Sequence, residues 1–188
     1  MNQQNGTETP MDLASLRERV TGGQRPRYLL FWGHRPGRGG GVDKACLSQW
    51  YPAPFRLEGV AYPTAEHYMM AEKARLFGDG EAEAQVLAAA HPGAAKQAGR
   101  TVRDFDELRW ERERFEIVVR GNLAKFGQNP ALGEFLRVTG ERVLVEASPV
   151  DRIWGIGLAA KDPAAADPMH WRGLNLLGFA LMRVREML

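Results

Sequence analysis

Between Tyr62 and Phe77 (YPTAEHYMMAEKARLF) the apolar positions recur with a helical period, entered through Pro63 and Thr64 and closed by Gly78 and Gly80. At about 100° per residue, Glu66, Met69, Met70, Lys73, Leu76 and Phe77 share one third of the circumference, with Tyr68, Ala71, Glu72 and Arg75 opposite. The same period predicts helices over Glu81–Ala90, from Pro92 to Arg100, over Glu107–Phe126, from Pro130 to Leu136, and from Gly173 to Leu188. The longest of these carries Leu108, Phe115, Val119 and Phe126 on one side and Trp110, Ile117 and Val118 beside them. So wide an apolar surface fits a central helix packed by neighbours on two sides. Short apolar runs predict strands at Arg27–Trp32 and Val143–Ala147, and RLEGV reads as part of a hairpin. Residues 34–45 (HRPGRGGGVDKA) have loop composition, as do Ser148–Gly157, and Leu158–Trp171 is irregular. Residues 1–25 read as a flexible N-terminal extension with a short helix near Asp12–Val20, and residues 26–188 as one compact domain. The fold class is therefore α+β, helix-rich, with a few short strands.

One feature breaks the amphipathic pattern. Glu66 and Lys73 sit in the middle of the apolar face of their helix, about 20° from eclipsed and roughly 10 Å apart along the axis. That separation is too long for a direct pair and suits two side chains reaching into one cavity. Burying unpaired charges costs several kcal/mol each, so their retention points to use. A buried ion pair with other partners, or a lysine reaching out to water, is the alternative.

Three further constellations carry candidate chemistry. In SPVDRIWGIG, Asp151 and Trp154 can aim a charge and an aromatic face into one space where glycines allow close approach; equally, Asp151 can cap a turn and Trp154 can belong to the core. Arg172, Gly173 and Asn175 open the last helix and form a candidate phosphate seat, unless Asn175 is an ordinary first-turn residue. Lys125, ahead of Phe126, brings another cation to the end of the long helix, or merely complements that helix's C-terminus.

Composition narrows the classes. With 188 residues and a net charge of +2, the basic residues scattered among acidic ones, no general nucleic-acid surface is indicated. The single cysteine, Cys46, excludes an internal disulfide, suits a reducing compartment and reads as a buried apolar residue. No stretch has the length of a membrane span and no signal-peptide core is present, so a cytoplasmic location is expected, without membrane association. His34, His67, His91 and His170 are too scattered for a metal set, Gly39-Gly40-Gly41 lacks the residues of a phosphate loop, and no acyl-transfer motif appears. No metal or cofactor is expected. Carboxylates, a buried lysine, aromatics and anion-binding groups remain, an inventory suited to cleaving a glycosidic bond on a phosphorylated ribose.

The segments LSQWYPAPF, YPTAEHYMMAEKA, Lys125-Phe126, TGERVLVEASPVDRIWGIG and GLNLLGFALMRVRE, in this order and spacing, resemble the NADAR (YbiA-like) family over about Tyr28–Leu188. The resemblance implies a compact, mostly helical α+β domain with N-glycosidase activity. Its implied substrates are ribosylamino-pyrimidine phosphate intermediates of early riboflavin synthesis, or ADP-ribose attached to guanine in nucleic acid. By position it places the reactive groups on Glu66, Lys73 and Asp151, with Trp154, Gly155 and Asn175 in the pocket. Arg172 and Lys125 are the expected phosphate ligands and Trp50 or Trp32 the expected partner of Trp154 around the base. Lys73 either stabilises charge or attacks the opened sugar as a neutral amine. Gln49-Trp50 stands where the family commonly has Asn-Phe, and Met70 where it has Gln, which bears on substrate identity. A sensor that binds NAD or ADP-ribose without cleaving it is the alternative from another class.

Overall fold

The computed structural model describes residues 12–37, 39 and 41–188; Arg38 and Gly40 of the glycine-rich loop, and residues 1–11, lie outside this range. A short helix, α1 (Leu13–Thr21), is capped by Asp12, and its Leu16 is fully buried. Arg17 anchors it by donating to the carbonyls of Pro168 and Trp171.

Strand β1 (Tyr28–Phe31) follows and pairs in parallel with β4 (Val143–Glu146), Tyr28 opposite Val143 and Phe31 opposite Glu146. Val143, Leu144 and Val145 of β4 are buried, as a strand covered on both faces must be. Between them a 3-10 turn at Lys44–Leu47, which the loop composition of residues 34–45 gave no sign of, leads to the hairpin of β2 (Phe55–Leu57) and β3 (Val60–Tyr62). Its two-residue turn, Glu58-Gly59, has positive φ at both positions, as a right-twisted hairpin requires.

The helices are α2 (Ala65–Leu76), α3 (Gly80–Leu87), α4 (Pro92–Arg100), α5 (Glu107–Gln128), α6 (Pro130–Arg137) and α7 (Leu176–Met187). Their starts obey local chemistry: Thr64, Asp79, His91 and Asp106 accept hydrogen bonds from first-turn N–H groups, and Pro92 and Pro130 occupy first-turn positions. The long helix ends two residues beyond its expected limit and packs against α2, α6 and α7, although Leu108, expected on its buried side, is exposed.

The amphipathic reading of α2 needs correction. Tyr68 and Ala71, assigned to the side away from the core, are buried, because α3, α4 and α5 surround the helix. Only Glu72 and Arg75 stay polar there, and Arg75 is held by Glu72, Glu83 and the Tyr62 hydroxyl. Close approach is bought by glycine: a Cβ on Gly121 would lie 2.3 Å from the Tyr68 ring, and one on Gly178 would lie 2.1 Å from the Leu144 carbonyl. The first contact seats α5 on α2; the second lays α7 directly on β4. Two further 3-10 turns, Pro163–Ala166 and Pro168–His170, occupy the segment expected to be irregular.

Candidate active site

The N-terminal half of α2, the face of α4, the C-terminal end of β4 and the loop after it surround a cavity of about 250 Å³. Glu66, Lys73, Asp151, Trp50 and Trp154 all line it, so five of the residues singled out in the sequence converge. Gln49, Met69, Met70, Lys96, Arg100, Trp110 and Glu146 share the wall.

Glu66 is 2% exposed and its Oε1 has no hydrogen-bond partner. Burial pushes its carboxyl up from 4.5 to about 7, against the opposing pull of Lys96 and a hydrogen bond from the Trp50 side chain; Asp151 adds to the rise. Its backbone N–H donates to the Gln49 carbonyl, so the wall carrying Trp50 is tied to the first turn of α2.

Lys73 reaches the same cavity seven residues on. Its Nζ donates to the Gly99 carbonyl at 2.8 Å and lies 4.2 Å from the centre of the Phe105 ring. Burial, with Arg100 nearby, lowers its pKa. Gly99 allows this, since a Cβ there would come within 2.2 Å of the Met70 sulfur that packs on it.

Asp151 plays both roles that the sequence left open. Its Oδ1 accepts from the N–H groups of Ile153 and Trp154, each at 2.8 Å, while the residue lines the cavity. Trp154 likewise packs against the core and faces the cavity.

The remaining candidates stand elsewhere. Lys125 is fully buried behind the wall: Nζ donates to the carbonyls of Cys46 at 2.7 Å and Ser48 at 2.8 Å, and burial pulls its pKa down to about 7. It fixes the segment leading to Trp50 and does not line the cavity. Cys46 beside it is buried, its thiol pushed up to about 12. Trp32 is 61% exposed and does not line the cavity, nor does the exposed Arg172.

The phosphate seat at the last helix is filled by protein. The N–H groups of Leu174, Asn175, Leu176 and Leu177 donate to the carbonyls of Arg152, Gly155, Ile153 and Trp154 respectively, leaving none of these four for an anion. Asn175, left-handed at φ 56°, clamps β4: Oδ1 accepts from the Glu146 N–H and Nδ2 donates to the Leu144 carbonyl, both at 2.9 Å. Gly155 serves the same joint, because a Cβ there would meet the Glu146 carbonyl at 2.8 Å. Both residues position the cavity wall from behind.

The wall also holds Lys96, Arg100, Trp110 and Glu146, whose sequence context gave no clear sign of a site. Lys96 and Arg100 are one turn apart on α4 and bring cations to the side opposite the β4 loop; Lys96 lies 5.9 Å from the Trp50 ring centre. Trp110 adds a third indole. Glu146 ends an otherwise apolar strand, a signal of the same kind as the charged pair on α2. Among the described residues no group of His, Cys, Asp and Glu is arranged to hold a metal ion.

A buried acid, a lysine and a part-buried carboxylate thus share one cavity walled by indoles. The sequence model of the NADAR domain matches residues 30–188. The chain belongs to the NADAR family. It is 41% identical over 165 residues to an N-glycosidase of Acanthamoeba polyphaga mimivirus, covering 85% of this chain and 95% of that protein. It is 30% identical over 146 residues to the N-glycosidase YbiA of Escherichia coli, covering 78% and 82%. The solution NMR structure of E. coli YbiA superimposes with a TM-score of 0.69 at 26% identity, over 87% of this chain and 86% of that one. The helix-rich α+β domain is therefore the fold of this NADAR relative. Gln49, Trp50 and Met70 all lie in the cavity wall. No helix among the described residues is long and apolar enough to cross a membrane.

Proposed function

We propose that the protein hydrolyses the C–N bond between a phosphorylated ribosyl unit and a nitrogen base, with the sugar's anomeric carbon held beside Glu66. The observation that carries this reading is Glu66 itself, a buried carboxyl in the wall of a cavity lined by indoles, one of whose oxygens no hydrogen bond satisfies. A site that only bound its ligand would gain nothing from such a group, whose desolvation costs free energy whether or not ligand is present. As a carboxylate it stabilises the oxocarbenium-like centre or takes a proton from the attacking water. Asp151, held by its two backbone donors, stands by as the second carboxylate. Lys96 and Arg100, rather than Arg172 and Lys125, supply the charge that holds phosphate. Trp50, Trp154 and Trp110 offer faces for the heterocycle.

Size favours the smaller of the two implied substrate groups. A cavity of about 250 Å³ is just below the roughly 300–1,000 Å³ of pockets that enclose drug-sized ligands. It suits one ribosyl phosphate with its base better than a full ADP-ribosyl unit. A ribosylamino-pyrimidine phosphate of riboflavin synthesis is therefore the favoured substrate. The test is a side-by-side assay of free base released from that compound, from its dephosphorylated form and from ADP-ribosylated guanine in DNA. Release is expected to be fastest from the first and slowed by loss of phosphate. Faster release from the DNA substrate would transfer the assignment to ADP-ribose removal.

A further inference from the structure

The end of β4 delivers a second buried glutamate to the cavity. Every backbone group of Glu146 is committed: its N–H donates to Asn175 Oδ1, and its carbonyl accepts from the Ile156 N–H at 2.9 Å. With the backbone fixed between the Asn175 clamp and the close packing of Gly155, the side chain projects into the cavity wall. Its Oε2 is buried without a hydrogen-bond partner, as is Oε1 of Glu66.

The two glutamates sit in different surroundings. Glu66 on α2 has Lys96 and Arg100 from α4 and a hydrogen bond from Trp50 favouring its charged form, against one carboxylate, Asp151 of the loop after β4. Glu146 faces Asp151 from its own following loop and Glu66 from α2, both acidic, with only Lys96 from α4 opposing them. Burial and these two carboxylates push it up from 4.5 to about 8. Burial biases both carboxyls towards the protonated form, and Glu146, with acids rather than cations about it, holds its proton the more readily of the two.

We propose that Glu146 is the catalytic acid of this site, donating its carboxyl proton to the base nitrogen as the C1′–N bond breaks. The assignment rests on the glycosidase reading above. The bonding pair of the C1′–N bond leaves with the nitrogen, which takes the proton from the Glu146 hydroxyl, so the base departs neutral. Water adds to C1′ and gives its proton to a carboxylate across the cavity, Glu66 or Asp151. Passing that proton back to Glu146 restores the site, and the net reaction consumes one water. An amine or amide nitrogen is a poor leaving group without protonation, which is why the reaction needs such an acid.

The experiment compares two leaving groups on Glu146→Gln. One substrate is the N-ribosyl phosphate, whose base must be protonated to depart. The other is a nitrophenyl riboside phosphate, whose phenolate leaves unaided. The variant should lose about 100-fold or more in kcat on the first and only a few-fold on the second. It should also lose the alkaline limb of the wild-type kcat/KM profile, while Glu146→Asp retains that limb. Equal loss on both substrates, or no loss on either, with the wild type active, overturns the assignment alone. A wild type that releases no base from the N-ribosyl phosphate overturns the glycosidase reading and this assignment together.

Discussion

Glu66→Gln should make the protein inactive and, above neutral pH, more stable. Burial raises the carboxyl of Glu66 from an ordinary 4.5 to about 7. Between those two values the folded state keeps a proton that the unfolded chain releases, so raising the pH favours unfolding. The stability present below pH 4.5 is lost progressively, and the loss is complete once the folded group has also ionised. A rise of this size corresponds to about 3 kcal/mol. Glutamine keeps the shape and accepts the Trp50 hydrogen bond but cannot ionise, so the variant escapes that cost. Any fixed penalty of the amide subtracts out when the two proteins are compared across pH. Urea unfolding of both at pH 5, 6, 7 and 8 is the assay, with the difference in unfolding free energy shifting in favour of the variant by about 2.5 kcal/mol between pH 5 and pH 8. A difference that stays flat across this range would refute the reasoning, because it would mean that Glu66 is not held in an environment hostile to its charge.

The other predictions concern the remaining wall residues. Asp151→Asn keeps an oxygen to accept from Ile153 and Trp154, so the turn should survive; if Asp151 moves a proton, kcat should fall about 100-fold, whereas a change confined to KM would make it a binding group. Trp154→Ala should weaken a base-bearing ligand by about 1–3 kcal/mol and ribose 5-phosphate much less, as read by calorimetry. A purely core role would weaken both alike and lower the melting temperature sharply. Lys96→Met and Arg100→Met should each raise KM about 10–100-fold for the phosphorylated substrate, the worth of a charge-assisted hydrogen bond, and leave the dephosphorylated form nearly unaffected. Borohydride added during turnover should trap a sugar on Lys73 only if its amine attacks C1′. No adduct by mass spectrometry would assign Lys73 an electrostatic role, in line with its place between the Gly99 carbonyl and the Phe105 ring.

Local chemistry made most of the fold legible. Thr64, Pro92 and Pro130 announce helix starts, and RLEGV announces part of the hairpin, because these signals act within a few residues. The burial of Tyr68 and Ala71 was not legible, since only the tertiary arrangement of α3, α4 and α5 shows that α2 has no solvent face of the expected width. In the site, Glu66 and Lys73 betrayed themselves as charges on an apolar stripe. Glu146 gave the same signal at the end of an apolar strand, but a four-residue strand displays it weakly. Lys96 and Arg100 gave none: cations one turn apart look like any solvated helix face until α4 is docked on α2. The phosphate seat expected at Arg172, Gly173 and Asn175 failed for a related reason. The helix begins at Leu176 rather than Gly173, and the N–H groups of residues 174–177 are paired with the carbonyls of residues 152–155, a pairing between segments that no local pattern records.

On the function proposed above, Glu66 serves bond cleavage in a phosphorylated N-riboside. Its most direct test follows the release of free pyrimidine base and ribose 5-phosphate from a ribosylamino-pyrimidine phosphate by wild-type protein and by Glu66→Gln, with ligand affinity measured on both. Equimolar release over many turnovers is expected from the wild type, and binding without release from the variant. Wild-type protein that binds the compound and leaves it intact, or a variant that turns over like the wild type, would contradict that role.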